Sequence, residues 1–70
     1  MLEYKGFLIE SVETSTGRWR AKISRFDGRM VKVAVTGLEH DSITTGGMEA
    51  FLAEAAIDLA MQAIDGGGIA

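Results

Sequence analysis

Cysteine and proline are both missing from the 70 residues of this chain. Without cysteine, neither a disulfide nor a thiolate metal site can staple the fold. A chain of 70 residues lies near the lower size at which a hydrophobic core is stable by itself. Because 47% of the residues are hydrophobic, we expect one folded domain over residues 1–70. Small chains without staples often gain stability by self-association, so we expect a homodimer.

Basic residues are absent from the second half of the chain. Residues 1–35 carry seven bases and four acids, a net charge of +3, whereas residues 36–70 carry six acids and no base, a net charge of −6. The first residues also lack a basic segment followed by an apolar run, so we expect no signal peptide and a cytoplasmic location. Acids are spread along the apolar part of the second half, and we expect no membrane partner.

The sequence offers few residues for metal binding or catalysis. His40 is the only histidine, and beside Asp41 it falls short of the three or four ligands that a metal site needs. Glu54, Asp58 and Asp65 recur at helical spacing, which is typical of a solvated helix face. Because so short a chain leaves little volume for a substrate pocket, we expect no enzyme, no metal and no cofactor.

The first half of the chain predicts three β-strands, over about residues 4–13, 18–25 and 30–36. The second strand gives the clearest signal, because apolar and polar residues alternate along it as in a strand with one wet face. Turn residues separate the three strands, and short turns join neighbours into an antiparallel meander. The apolar face of this sheet would hold Phe7, Ile9, Trp19, Ala21, Ile23, Val31, Val33 and Val35.

The second half predicts a loop over residues 37–45, in which residues 42–44 offer a short extra strand, and then one helix over about residues 47–65. Gly66 is placed for a left-handed cap at the helix end, and residues 66–70 read as a flexible tail. One line of alanines runs along the helix, flanked by larger apolar residues on both sides. The alanines are Ala53, Ala56, Ala60 and Ala63, and the flanks are Leu52 with Leu59 and Ile57 with Met61 and Ile64.

Together these elements predict an α+β fold, a three-stranded antiparallel β-meander with one C-terminal α-helix packed on one face (β-β-β-α). The apolar arc of the helix covers roughly two-thirds of its circumference, against a stripe of about 100° on an ordinary surface helix. One small sheet does not cover so wide an arc, and the surplus predicts a contact with a second copy. The candidate self-association residues are Leu52, Ile57, Leu59, Met61 and Ile64.

A second candidate surface is basic. Arg18, Arg20 and Lys22 recur at every second residue and so share one face of the second strand, where Lys32 on the third strand would join them. Such a stripe can neutralise the phosphates of a nucleic acid or dock on an acidic protein, and it is equally typical of a solvated sheet face. It could also meet the acidic helix strip of a second copy.

Several short motifs resemble a group of small, uncharacterised bacterial proteins built from one β-β-β-α unit. The motifs are Tyr4-Lys5-Gly6-Phe7 with Ile9, Gly17-Arg18-Trp19-Arg20-Ala21, Asp27-Gly28, Ser42-Ile43-Thr44-Thr45 and Ala63-Ile64-Asp65-Gly66. They cover most of the chain, and the resemblance implies a fold without an activity.

The layout is also similar to that of HicB-type antitoxins, whose second strand Gly17, Trp19 and Ala21 echo. This sequence shows neither the proline-containing segment nor the C-terminal DNA-binding extension of that family. AP2 domains and phage-integrase arm-binding domains look similar too, and that resemblance implies DNA reading by the three basic residues of the second strand. From the sequence we expect a non-catalytic protein-interaction module that acts as a homodimer. The alternative is a nucleic-acid-binding or antitoxin-like regulatory protein that uses the basic sheet face.

Overall fold

The computed structural model describes residues 1–45 and 50–70. These residues form a four-stranded antiparallel sheet of order β1-β2-β3-β6, a separate pair β4-β5, and one helix. The predicted α+β class with an antiparallel sheet and a C-terminal helix is confirmed, but the three-stranded meander matches the sheet only roughly. The bounds are β1 (Leu2–Tyr4), β2 (Phe7–Ser15), β3 (Arg18–Arg25), β4 (Val31–Lys32), β5 (Glu39–His40), β6 (Ile43–Thr44) and α1 (Ala53–Asp65).

The predicted first strand is two strands joined by a tight hairpin. Tyr4 pairs with Phe7 across a two-residue turn, in which Lys5 and Gly6 have φ angles of 50° and 85°. Positive φ at both central residues is the type I′ geometry, whose twist matches that of the flanking strands. The sequence did not predict this turn, because lysine rarely adopts positive φ.

The hairpin β2-β3 is the centre of the sheet, and its second strand matches the prediction over residues 18–25. Ile9 lies opposite Ile23, and Ser11 lies opposite Ala21. Both isoleucines and Ala21 are fully buried, because alternate residues on these strands face the helix. The other face of the sheet lies away from the helix.

The predicted third strand is wrong over most of its length. Only Val31–Lys32 is a strand, and it pairs with β5 instead of β3. The carboxylate of Asp27 accepts a hydrogen bond from the backbone N–H of Arg29 at 3.0 Å, a local turn that leads the chain away from the edge of β3. The next residues bend into another turn, so Val35 is 93% exposed although its spacing predicted a core residue.

Strand β6 takes the place beside β3 that the prediction gave to residues 30–36. Lys22 lies opposite Thr44, and Ile23 lies opposite Ile43. The short extra strand expected within residues 42–44 is therefore present, and it forms an edge of the main sheet.

The helix begins at Ala53, later than the predicted start at about residue 47, and residues 46–49 lie outside the described part of the chain. Ala50 is extended and pairs with Trp19 in an isolated antiparallel bridge. The alanine line packs on the sheet as expected, since Ala56 and Ala60 are fully buried. The buried core consists of Phe7, Ile9, Ala21, Ile23, Val31, Ala50, Ala56, Ala60 and Ile64.

The end of the helix differs from the prediction at one glycine. Gly66 has a right-handed φ of −77°, and Gly67, with φ 77°, is the left-handed residue. Gly68 N–H donates to the carbonyl of Ala63 at 3.1 Å, which completes a Schellman motif.

The predicted flexible tail is held by hydrogen bonds in the structure. Ala70 and Lys32 exchange two backbone hydrogen bonds of 2.8 and 2.9 Å, and Ile69 bridges to Val33. The Schellman motif turns the chain back toward β4, so Ile69 and Ala70 lie alongside Lys32 and Val33.

Candidate functional site

The two apolar flanks of the helix differ in how well the sheet covers them. Ile57 and Met61 are half-buried against the core, and Ile64 is only 8% exposed. On the opposite flank Leu59 is half-buried, whereas Leu52 is 67% exposed. Of the five predicted self-association residues, Ile64 therefore belongs to the core, and the uncovered apolar area lies on the side of Leu52.

Leu52 occupies the N-cap position of α1 in an extended conformation, with φ −128° and ψ 144°. Serine, threonine, aspartate and asparagine stabilise this position, because a side-chain oxygen accepts a hydrogen bond from the first helical turn. Leucine has no such oxygen, and at 67% exposure it also contributes little to the core. A residue that serves neither the helix cap nor the core is a candidate for an intermolecular contact.

Phe51, which is 70% exposed, lies next to Leu52 at the same end of the helix. The backbone of Ala50 exchanges hydrogen bonds of 2.7 and 2.9 Å with Trp19, which fixes this segment at the edge of β3. The guanidinium of Arg18 lies 5.0 Å from the centre of the Phe51 ring, a cation–π distance. Ala50, Phe51 and Leu52 border a hollow of about 480 Å³, here called the helix groove, which is lined by Ala50, Phe51, Leu52, Ala55, Asp58, Leu59 and Gln62.

A second hollow lies on the other side of Leu59, between the helix, β6 and the end of the chain. It has a volume of about 430 Å³, and we call it the apolar cavity; its lining is Ile23, Val33, Ile43, Thr44, Thr45, Leu59, Ala63 and Ile69. The expectation that so short a chain leaves little room for a pocket is therefore wrong. Strand β6 and Ile69, which the sequence gave no reason to place together, form two of its walls.

The predicted basic face is only partly assembled. Arg20 and Lys22 share the sheet face that lies away from the helix, but Lys22 is directly opposite Glu10. Lys32 belongs to the separate pair β4-β5, where it lies opposite Glu39. Arg18 contacts Phe51 at the helix groove. The four predicted basic residues therefore do not form one continuous stripe, and acids accompany two of them.

Asp65 is exposed like the rest of the acidic helix strip, but Tyr4 at the end of β1 and Lys5 in the β1-β2 turn bind its carboxylate. The Tyr4 hydroxyl donates to Asp65 at 2.7 Å, and the Lys5 ammonium forms an ion pair with the same carboxylate. The hydrogen bonds from Lys5 and Tyr4 lower the pKa of Asp65. The Asp65 carboxylate in turn raises the pKa of Lys5 and of Tyr4. An aspartate in the last helical turn is unfavourable to the helix dipole, and that signal could have predicted a cationic partner.

In the described residues, no group of three or more histidine, cysteine, aspartate or glutamate side chains is placed to hold a metal ion. His40 lies exposed on β5. Across residues 1–45 and 50–70, no helix is both long and apolar enough to cross a membrane. Neither the protein-family models, nor the curated proteins, nor the solved structures with which the chain was compared contain a match.

Proposed function

We propose that this protein is a non-catalytic interaction module that acts as a homodimer, and that the helix groove is its contact surface. The observation that carries the proposal is Leu52, a leucine 67% exposed at a position where a polar cap would stabilise the helix. Phe51 beside it is 70% exposed. Adjacent exposed apolar side chains of this size are typical of interaction sites.

The spacing along the helix fits a helix-on-helix contact. Leu52, Ala55 and Leu59 follow each other at intervals of three and four residues, which places them on one side of α1. Ala55 is exposed, and its small side chain allows two helices to approach closely. An antiparallel pair would bury the leucines of both copies along one seam.

Charge favours the antiparallel arrangement over the parallel one. Arg18 lies at the N-terminal end of the groove, over the ring of Phe51, whereas Asp58 lines the groove further along the helix. Antiparallel packing brings Arg18 of each copy toward Asp58 on the helix of the other copy. Parallel packing would place Asp58 against its own copy, and like charges at an interface weaken association.

The alternative contact, between the sheet face of one copy and the acidic helix strip of another, does not close into a dimer. The helix covers one face of the sheet, so the open sheet face and the outer helix face point in opposite directions. A contact between unlike faces is heterologous, and without closure it produces open chains instead of a two-fold pair. The helix groove therefore accounts better for a dimer.

The test compares two exposed leucines. Leu52→Gln removes apolar area from the helix groove, and Leu38→Gln removes similar area, since Leu38 is 58% exposed in the turn between β4 and β5. We expect dimers of the wild type and of Leu38→Gln by light scattering, and monomers of Leu52→Gln at the same concentration. A wild type that stays monomeric at millimolar concentration would contradict the proposal, as would equal effects of the two substitutions.

A further inference from the structure

We propose that the apolar cavity binds a small uncharged amphiphile, with a hydrocarbon body and one hydrogen-bond acceptor that Thr45 recognises. The proposal goes beyond self-association, because the cavity lies on the other side of Leu59 from the helix groove. The cavity is partly open to solvent, and its volume of about 430 Å³ lies in the range of small-molecule sites, which span roughly 300–1,000 Å³.

The walls of the cavity come from distant parts of the chain. Ile23 on β3 is fully buried, and Ile43 on β6 and Leu59 on α1 lie around it. The wall formed by Ile69 is fixed by the two backbone hydrogen bonds between Ala70 and Lys32. The cavity is thus supported on several sides by paired backbone, which favours a site already formed before a ligand binds.

The chemistry of the lining defines the class of ligand. Among the described residues, the lining contains six aliphatic side chains and two threonines, and none of them is charged. An ionic ligand would lose its hydration there without a countercharge, which costs far more than burial of a neutral group. The occupant is therefore uncharged and mostly hydrocarbon.

Thr45 supplies the polar contact. Its hydroxyl oxygen accepts a hydrogen bond from the backbone N–H of Ala21 at 3.2 Å, and its carbonyl accepts one from Arg20 Nη1 at 3.2 Å. The oxygen is thereby fixed against β3, and the hydroxyl hydrogen must point elsewhere. Within the described residues that hydrogen has no acceptor, so a hydroxyl or carbonyl oxygen of a ligand can take it.

The probe for this site is 1-octanol, compared with octanoate of equal chain length, and the readout is the isoleucine methyl spectrum of the full chain. We expect saturable shifts at Ile23, Ile43 and Ile69 and none at Ile57, which packs on the other flank of the helix. Octanoate should cause no such shifts. Absence of saturable shifts would overturn the proposal. Shifts at the cavity that follow protein concentration instead of octanol would assign the space to a second copy.

Two pairs of variants separate the site from general effects on the fold. Ala63→Leu fills the cavity and should abolish octanol binding, whereas Glu54→Leu, on the exposed side of the same helix and outside both hollows, should not. Thr45→Val should weaken octanol binding about five- to tenfold, the effect of one neutral hydrogen bond, and Thr45→Ser should restore it. Unchanged binding in Ala63→Leu would contradict the assignment even if Thr45→Val failed to fold.

Discussion

Replacing Leu52 with serine should stabilise the monomer and weaken the dimer at the same time. Leu52 already has the extended backbone of an N-cap residue, so a serine hydroxyl can accept a hydrogen bond from the first turn of the helix without rearrangement. A favourable N-cap contributes about 0.5–2 kcal/mol relative to an apolar residue. For a domain of this size, each 1 kcal/mol raises the melting temperature by about 4–8 °C.

The effect on association has the opposite sign. Burying a whole leucine side chain contributes about 1.5–3 kcal/mol. Because Leu52 is 67% exposed, its burial in a dimer contributes at most about 1–2 kcal/mol per copy. Both copies lose this in a symmetric pair, so the dissociation constant should rise by at most about 30- to 700-fold, at 1.4 kcal/mol per tenfold change.

Protein concentration separates the two effects. At concentrations where the wild type is monomeric, Leu52→Ser should melt at a higher temperature than the wild type. Where the wild type is dimeric, association adds to its stability by mass action, and the difference should shrink or reverse. Leu38→Ser is the matched control, because Leu38 is 58% exposed and lies away from the helix. A Leu52→Ser monomer that melts below the wild type, or a variant that dimerises as tightly, would refute the reasoning.

Three further predictions concern the rest of the fold. Gly67→Ala should destabilise the protein by about 1–2 kcal/mol in a denaturant titration, because Gly67 has a φ of 77°, whereas Gly68→Ala should be nearly neutral. The lowered pKa of Asp65 means that its contacts stabilise the fold above about pH 3.8 and that this contribution is lost as pH falls through the lower folded pKa. The raised pKa values of Lys5 and Tyr4 mean that the same contacts are lost as pH rises above 10, so Asp65→Asn should flatten both limbs of the stability–pH curve. If the sheet face binds nucleic acid, the protein should be retained on a phosphate matrix at low salt and released steeply as salt rises; we expect no retention, because Glu10 opposes Lys22.

Periodicity predicted the parts of the fold in which burial repeats regularly. Ala21 and Ile23 on β3 are fully buried, as are Ala56 and Ala60 on α1, because each of these elements keeps one face against the other along its length. The same reasoning failed for Val35, where the alternation continues into a turn that does not touch the core. A pattern of apolar residues reports what could be buried, and a neighbouring element decides whether it is.

The candidate sites depended on pairings that no local pattern reveals. β6 reaches β3 partly through Thr45, whose backbone N–H donates to Ala21 while its side chain accepts from the same residue. Ile69 reaches the cavity only because Gly67 reverses the chain after the helix. Leu52 and Ile64 were both candidates from the sequence. Only the fold shows that Leu52 is exposed at the N-cap whereas Ile64 is buried.

The basic first half of the chain forms most of the sheet, and the acidic second half contains the helix. One described ion pair, Lys5 with Asp65, joins the basic half to the acidic half within a single molecule. A contact between the open sheet face and the outer helix face would act between molecules and would lead to open chains because the two faces point apart, although Glu10 opposite Lys22 weakens its charge attraction. Screening by salt weakens that attraction, whereas burial of Leu52 is not electrostatic. Raising the salt concentration should therefore leave the proposed dimer in place and remove any larger species held by charge; a dimer that dissociates with salt would show that charge, and not the helix groove, holds the two copies together.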